Sequence, residues 1–469
     1  MMSVKSFKIH KIEFHIDKIV IFFIITLMCI NMLYVKMWQK RELLYWDVVS
    51  YYAYLPATFI YKDLSLKFIE NYSGEHEFVF WPSTAPNGNY VIKTSMGLSY
   101  LYAPWFFIGH LIAINTNYDA GGFSEPYKIC LQFGTLIYFL IGLLFLRKVL
   151  LRYFNKYITA LVILAIVVGT NLYYYVVYES TMSHSYSFVL FSIFLWATMR
   201  WHDDRNWKFT VLIGLLSGLI TLIRPTNIIV LIIFALWGVT SFKGLKERAM
   251  LFLREYPKVI IMMLCFIAVW IPQFIYWYQQ TGHIFYYSYG EEGFFFKKPK
   301  FFKSLFSYRK GWLVYSPIMI LSLIGLPLMT KYKEKEGLMA IVIFTFINMW
   351  IIFSWWCWWW GGSFGYRALI DSYAFLAIPM GTFMKYIYEK RNKLLKISFS
   401  LLLTLMISYS VFMTVKYRNK SIHYDSMTKE AFWYNFFEVK TKPGYWEMLD
   451  PPNYDKLYMD KMNESIFYD

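Results

Sequence analysis

The sequence predicts an all-α fold, a polytopic transmembrane helical bundle of about eleven helices. The chain has 469 residues, of which 58% are hydrophobic and only 16% charged, and its mean hydropathy is +0.39. Apolar runs such as Ile19–Val35 and Leu395–Val415 have the roughly 17–25 residues that a helix needs to cross a hydrocarbon layer. So apolar a chain is not expected to be water-soluble, and we expect a multi-pass protein of the plasma membrane.

The placement of positive charge predicts the orientation of the chain. Its net charge is +17, but the lysines and arginines gather between apolar runs, as is typical of cytoplasmic loops. This rule predicts a transmembrane domain over residues 1–415 with two extracytoplasmic segments, 37–127 and 279–311, and an extracytoplasmic tail over 416–469. The distribution indicates contact with membrane lipids and excludes a nucleic-acid-binding protein.

Two stretches allow more than one topology. Gly97–Ile114 is apolar enough to span, but Pro104 interrupts it, and a span there would place the next basic stretch outside. We therefore expect an interfacial helix. Phe209–Thr240 is expected to form two short helices that meet at Arg224-Pro225, because a single span would again reverse the charge rule.

Asp47 is the first candidate for chemistry. It follows the first predicted helix among the aromatic residues Tyr45, Trp46 and Tyr51, which we expect to shield it partly from water. A carboxylate at the membrane surface is suited to take a proton from a hydroxyl group. The simpler interpretation is that Asp47 caps a helix beginning at Val48. Taken alone, the residue favours the cap.

A second polar cluster, 178–186, contains Glu179 and His184 between two apolar runs. Ionisable groups at membrane depth are costly, so they tend to line a cavity or a polar path. An ordinary solvated turn is the alternative. Two candidate ligands do not define a metal site.

The loop over 286–310 is basic although it is expected to lie outside. It carries Arg309 and Lys310 together with four further lysines. Attraction to an anionic phosphate is one cause for such a cluster. General adhesion to anionic lipid head groups is the other.

The Trp-rich segment 355–367 completes the candidate site. Tryptophans are common in interfacial belts, but a belt does not require the glycines that follow Trp360 or the cation Arg367 after Tyr366. Flexible backbone beside aromatic rings and a fixed cation predicts a sugar-phosphate pocket. Arg224, at the joint between two short helices, is a second buried-cation candidate.

Over residues 19–387 this layout resembles the GT-C superfamily of membrane glycosyltransferases, in the branch of protein O-mannosyltransferases and lipid A aminoarabinose transferases. The resemblance rests on the Asp47 loop, the long helical outer segment, the acidic outer loop and the later large outer loop. The strings over 307–317 (SYRKGWLVYSP) and 360–367 (WGGSFGYR) are similar to strings in bacterial members.

The resemblance implies a polyprenyl-phosphate-linked sugar donor and inverting transfer to an acceptor hydroxyl outside the cytoplasm. Asp47 would be the general base, Glu179 the second acidic residue, and Arg367 or Arg224 would hold the donor phosphate. Many members have a second acid directly after the first, whereas Val48 stands here, so a reaction without a metal or other cofactor is favoured. The remaining site assignments are Arg309 and Lys310 near the phosphate, and a sugar or acceptor pocket of four residues: Tyr51, His184, Trp360 and Tyr366.

Two other classes of function stay open. A transporter or flippase for lipid-linked sugars would share the aromatic residues and internal charges, but is expected to show internal pseudo-symmetry. A non-catalytic subunit of envelope-glycan assembly would tolerate the loss of Asp47. The acceptor, whether glycan, lipid or protein, is not indicated.

Overall fold

The computed structural model describes residues 15–71, 82–290 and 292–455. This part of the chain is mostly helical, with one two-stranded antiparallel sheet of β1 (Ser83–Thr84) and β2 (Tyr90–Val91). The helices before the midpoint of the chain are α1 (Ile16–Val35), α2 (Asp47–Tyr52), α3 (Tyr54–Phe59), α4 (Gly97–Ile114), α5 (Glu125–Leu150), α6 (Lys156–Val168), α7 (Leu172–Val177), α8 (Ser183–Asp204) and α9 (Trp207–Ile223). The later helices are α10 (Val230–Leu236), α11 (Phe242–Arg254), α12 (Tyr256–Thr281), α13 (Phe301–Phe306), α14 (Trp312–Tyr315), α15 (Ile320–Leu328), α16 (Lys335–Phe353), α17 (Tyr373–Glu389), α18 (Lys393–Arg418) and α19 (Lys429–Tyr434).

Six helical stretches in the described residues are long and apolar enough to cross a membrane. They are Ile16–Gln39, Gly97–Ile114, Glu125–Leu150, Tyr256–Thr281, Lys335–Phe353 and Lys393–Arg418, and four shorter apolar stretches accompany them: Lys156–Val168, Trp207–Ile223, Pro225–Leu236 and Pro317–Lys331. The all-α, multi-pass membrane architecture is thereby confirmed. The count of eleven spans stays a prediction.

The long helices divide their apolar side chains between a protein core and an outward face. In α1, Ile24, Met28 and Met32 are fully buried, while Phe22 and Phe23 lie exposed on the outside. Large exposed apolar side chains recur along α12 and α18. Such surfaces are unfavourable in water but match lipid chains, and a helix satisfies its own backbone hydrogen bonds in hydrocarbon.

Ion pairs mark one end of the bundle. Arg147 at the end of α5 pairs with Asp17 at the start of α1, and Arg152 Nη1 lies 2.7 Å from Asp203 Oδ2 at the end of α8. Lys385 near the end of α17 pairs with Glu334, just before α16. These contacts place the helix ends on one face, named here the ion-pair face. The opposite ends of the same helices form the site face.

Helix α4 differs from the expected interrupted segment. It runs without a break through Pro104, because a proline in an apolar bundle loses one backbone hydrogen bond but need not end the helix. A Cβ on Gly97 would lie 2.5 Å from the backbone nitrogen of Ile223, and one on Gly109 would lie 2.7 Å from Tyr127 Cα. Both contacts are with the site-face ends of α9 and α5. Tyr138, in the middle of α5, donates to the carbonyl of Leu101 at 3.0 Å, so α4 packs antiparallel along the first half of α5. The interfacial placement of α4 in a bilayer stays a prediction.

Candidate functional site

A cavity of about 220 Å³ opens at the site face. Its walls come from the start of α2, the segment after β2, the start of α8, the α9–α10 joint, the loop before α13, the Trp-rich loop after α16 and the C-terminal tail. Its charged lining residues are Asp47, Lys93, Arg224, Glu292 and Arg367. Three cations therefore face two carboxylates, an excess of positive charge that suits an anionic ligand.

Asp47 lies at the mouth of this cavity. The cap interpretation required Asp47 to lie just before the helix, but Asp47 is the first helical residue of α2. The capping position is held by Trp46, which has a φ of 50°. Its Oδ2 lies 3.3 Å from Arg367 Nη2. The expected aromatic shielding of Asp47 is wrong, because its side chain is 53% exposed and Trp46 is exposed too.

Arg367 begins the helical turn Arg367–Ser372 that leads into α17. Gly365 has a φ of 59°, and a Cβ there would lie 3.0 Å from Tyr315 Cβ, so the turn that aims Arg367 depends on glycine. Burial disfavours the guanidinium charge, but Asp47 and other anionic groups more than offset it and raise the pKa of Arg367. Its Nε is buried and has no hydrogen-bond partner among the described residues. Arg367 thus keeps one spare donor.

Glu179 stands near Arg367 but is not among the residues that line the cavity in the described structure. Tyr174 donates its hydroxyl to Glu179 Oε1 at 3.1 Å. Burial raises the pKa of Glu179, and the charge of Arg367 acts in the opposite direction. The structure therefore brings Asp47 to the cavity and places Glu179 where its charge supports Arg367.

The second arginine, Arg224, sits at a break that the sequence predicted. Helix α9 ends at Ile223 and a helical turn restarts at Pro225, so the predicted joint is confirmed. Proline has no backbone N–H and disfavours helical backbone in the residue before it, and Arg224 is extended, with φ −146° and ψ 108°. This conformation turns its guanidinium onto the Trp360 ring, 5.0 Å from the ring centroid.

Behind Arg224 lies a buried polar cluster that the sequence assigned only in part. His184 Nδ1 is 3.0 Å from Asp371 Oδ1, while Arg224 Nη1 and Asn227 Nδ2 lie 3.4 and 3.1 Å from Asp371 Oδ2. Asp371 follows the WGGSFGYR string, and Asn227 follows the helix joint by a few residues. Neither Asp371 nor Asn227 has a role that the sequence indicates, because nothing in the chain order shows that these segments meet.

Aromatic rings form much of the remaining wall. Trp355 and Trp360 are stacked with their ring centroids 5.5 Å apart. The rings that line the cavity are Tyr51, Tyr289, Trp355, Trp356, Trp360 and Tyr454. Tyr366 is not one of them: it is buried, and its hydroxyl donates to the carbonyl of Trp358 at 2.6 Å. Tyr366 therefore holds the Trp-rich loop in shape.

Arg309 and Lys310 lie away from the cavity wall. Arg309 donates to the backbone carbonyl of Asp425 at 2.8 Å and to Asp450 Oδ2 at 2.7 Å. Lys310 is buried, and its ammonium contacts the carbonyls of Ser363 and Tyr424. Both side chains thus fasten the C-terminal tail to the Trp-rich loop, and the tail places Tyr454 in the cavity wall. Neither side chain lines the cavity in which a contact with the donor phosphate was predicted.

Lys93 and Glu292 are site residues that the sequence did not indicate. Lys93 Nζ lies 2.6 Å from Glu292 Oε1, which joins the segment after β2 to the loop before α13. Within the described ranges, no three histidine, cysteine, aspartate or glutamate side chains come together as metal ligands. Metal-independent chemistry stays a prediction.

No family model matches this chain, and no curated protein matches it. Solved structures of the oligosaccharyltransferase from Archaeoglobus fulgidus are similar in fold. One is AglB in complex with an inhibitory peptide and a dolichol-phosphate, with 13% identity and a TM-score of 0.49 over 94% of this chain and 59% of that one. Another is the apo form, with 14% identity and a TM-score of 0.48 over 97% of this chain and 60% of that one.

A third structure has an acceptor peptide tethered through a disulfide bond, with 13% identity and a TM-score of 0.44 over 84% of this chain and 54% of that one. This chain thus spans less than two thirds of the length of the proteins it is similar to. At these identities and TM-scores, the likeness does not assign an activity, a substrate or a partner to this chain.

Proposed function

We propose that this protein is a membrane glycosyltransferase that moves a sugar from a polyprenyl-phosphate donor to an acceptor hydroxyl at the site face. The observation that carries the proposal is the cavity itself. Asp47, Arg224 and Arg367 come from three distant segments and line one aromatic pocket at the ends of membrane helices. The extracytoplasmic side predicted for this face is part of the proposal.

The charge change of the reaction fits the two arginines. In an inverting displacement, the acceptor oxygen forms a bond to the anomeric carbon of the sugar while the bond from that carbon to the phosphate oxygen breaks. The electron pair stays on the phosphate, so a donor diester with one negative charge becomes a polyprenyl phosphate with about two. Arg224 and Arg367 supply positive charge where this negative charge develops.

The proton of the acceptor hydroxyl needs a base, and Asp47 is the exposed carboxylate at the mouth of the cavity. In the free protein its Oδ2 contacts Arg367 Nη2 at 3.3 Å. A donor phosphate that binds Arg367 competes for the same guanidinium and releases Asp47 to face an incoming acceptor. A positioned base of this kind contributes about 10²–10⁴ in rate.

The aromatic lining supports a sugar ligand, and the membrane setting supports a lipid-linked one. Rings such as Trp360 and Tyr289 offer flat apolar surfaces to the C–H faces of a sugar, while the nearby charges bind its polar groups. A polyprenyl chain would remain in lipid beside the helices, so its phosphate would arrive at the site face without leaving the membrane surface.

A donor screen tests the proposal. Purified protein in lipid nanodiscs is given radiolabelled polyprenyl-phosphate sugars together with an extract of glycans, lipids and proteins as acceptors. We expect transfer of label from at least one donor, with release of polyprenyl phosphate. The same donors, enclosed in liposomes with the protein, report translocation across the bilayer.

Two outcomes contradict the proposal. Translocation without transfer would favour a flippase or transporter of lipid-linked sugars. Neither transfer nor translocation, with glycan assembly restored in cells by the Asp47→Asn variant, would favour a non-catalytic assembly subunit.

A further inference from the structure

The buried cluster behind Arg224 fixes the protonation pattern of a histidine. An ionised carboxylate only accepts hydrogen bonds, so the 3.0 Å contact between Asp371 Oδ1 and His184 Nδ1 requires the proton on Nδ1. In the neutral ring, Nε2 then carries a lone pair. His184 is a proton acceptor whose orientation is set by Asp371.

The second ring nitrogen of His184 is available to a ligand. His184 lines the cavity, and within residues 15–71, 82–290 and 292–455 its side-chain hydrogen bond is the one that Nδ1 donates to Asp371. Arg224 Nη1 lies 3.3 Å from Nδ1, but arginine has only donors and forms no hydrogen bond to a protonated Nδ1. The ring packs edge-on against Tyr175, with centroids 5.6 Å apart, which limits its rotation. A preoriented, unused acceptor in a cavity wall is suited to a hydroxyl or amine group.

The position of His184 in the cavity indicates whether it contacts the sugar donor or the acceptor. His184 is only 1% exposed, whereas Asp47 is 53% exposed at the mouth. Arg224 is proposed above to face the donor phosphate, and its Nη1 atom lies 3.3 Å from His184 Nδ1. A group that reaches His184 is therefore beside the phosphate and deep in the cavity, and it belongs to the donor sugar.

We propose that His184 Nε2 accepts a hydrogen bond from the 2-hydroxyl of the transferred sugar. This inference rests on the proposed function. The C2 carbon is bonded directly to the anomeric carbon that carries the phosphate, so its hydroxyl is the sugar hydroxyl closest to a residue beside the phosphate. The adjacent Arg224 guanidinium disfavours a protonated amine at this position, because like charges repel.

Asp371 and Asn227 are positioning residues in this arrangement. Asp371 fixes the tautomer of His184, and Asn227 Nδ2 holds Asp371 Oδ2 at 3.1 Å. An asparagine at 371 can donate its amide N–H to His184 Nδ1, which would move the ring proton to Nε2. Nε2 would then donate instead of accept, and the preference of the protein among donor sugars would change.

The test compares two matched donors, a polyprenyl-phosphate hexose that the protein uses and its 2-deoxy analogue. We expect kcat/KM of the wild type to fall at least about 10-fold for the deoxy donor, because the buried Nε2 is left without a partner. His184→Ala should use both donors within about 2-fold of each other, and Asp371→Asn should discriminate less than the wild type. A ratio of two donors does not change with the fraction of folded protein.

His202→Ala is the matched control, since it removes a partly buried histidine from the other end of α8. It should keep the wild-type ratio. Equal use of the two donors by the wild type, or an unchanged ratio in an active His184→Ala variant, would overturn the inference. Either result leaves the proposed function intact, because transfer is observed in both. Absence of transfer from every donor in the wild type would overturn the proposed function, and the His184 assignment with it.

Discussion

Two carboxylate–arginine pairs each contribute an arginine to the same cavity, and they differ in burial. The Asp47 and Arg367 side chains are 53% and 13% exposed, and their contact is a single one of 3.3 Å. The Asp371 and Arg224 side chains are 3% and 16% exposed, and Asp371 has two further partners in His184 and Asn227. Arg367 can exchange Asp47 for a ligand at a small cost in free energy. The second pair is held on several sides and fixes its neighbours.

Because the two pairs differ in burial, we expect them to differ in their contributions to stability. Exposed ion pairs contribute little to stability because water solvates both charges. Breaking a buried pair leaves an uncompensated charge in the interior and is costly. We therefore expect changes in the mouth pair to affect reaction rate and donor binding with little change in stability, and changes in the inner pair to affect stability as well.

The largest expected effect comes from Asp47→Asn. The amide keeps the size of the side chain but cannot take a proton, so transfer should fall at least about 10²-fold, with the midpoint of thermal unfolding near that of the wild type. Asp371→Asn should lower transfer as well, and should also lower the free energy of unfolding by about 1–3 kcal/mol. Transfer assays and thermal unfolding in nanodiscs measure both. Wild-type transfer by Asp47→Asn would end its assignment as the base.

A second test concerns the arginines. Lysine cannot reproduce the planar fork of Arg367, nor its spare Nε donor, so Arg367→Lys should raise the KM for the donor about 10-fold without a change in stability. Arg224→Lys loses its place on Trp360 and its contact with Asp371, and should affect KM and stability together. Arg418→Lys, an exposed arginine outside the cavity lining, is the control. Identical losses for Arg367→Lys and Arg418→Lys would count against donor recognition.

Lys310 extends the comparison to a buried cation that forms no carboxylate salt bridge within the described residues. Burial, together with the charge of Arg367, lowers the pKa of Lys310 to about 7. Between pH 7 and 9 the folded protein then holds fewer protons than the unfolded chain, so its stability rises with pH. A neutral amine still has two N–H groups for the carbonyls of Ser363 and Tyr424.

The measurement is the free energy of unfolding of the wild type minus that of Lys310→Met, followed across this range. We expect the difference to move in favour of the wild type by up to about 1.4 kcal/mol per pH unit. A difference that is flat between pH 7 and 9 would show that Lys310 stays charged in the folded protein.

The smallest effect is expected at two exposed lysines at the start of α13, Lys300 just before the helix and Lys303 within it. Lys300→Ala and Lys303→Ala should each weaken attachment to vesicles containing anionic lipid by less than about 1 kcal/mol, and the effect should disappear at high salt. Vesicle sedimentation at two ionic strengths measures it. A large loss that persists in 1 M salt would indicate a structural role for these side chains.

The helical fold was predictable because a chain in lipid has few ways to satisfy its backbone hydrogen bonds. Apolar runs must form helices that satisfy their own backbone, and the break at Arg224-Pro225 follows from the chemistry of proline. The course of α4 was harder to predict, since Pro104 was expected to interrupt this segment but lies within one continuous helix. The close approach of Gly97 to α9 could not be predicted from the composition of that segment.

The site was predictable only where one segment carried its own signal. Asp47, Arg224, Trp360 and Arg367 stand out by charge or aromatic density in an apolar chain, and the structure brings them to one cavity. Asp371 and Lys93 gain their positions from long-range contacts that chain order does not reveal. Lys310 looked like a phosphate ligand because its charge was visible in the sequence, whereas its burial against the carbonyls of Ser363 and Tyr424 was not.

The fastening of the tail by Arg309 and Lys310 has a consequence for biosynthesis. Tyr454, in the tail, supplies the last wall of the cavity in chain order, while Asp47 lies just after the first helix. The translocon must therefore release the intervening helices before the tail can dock. We expect the nascent protein to pass through a stage in which its helices are inserted but the pocket is open, so that activity matures after integration into the membrane.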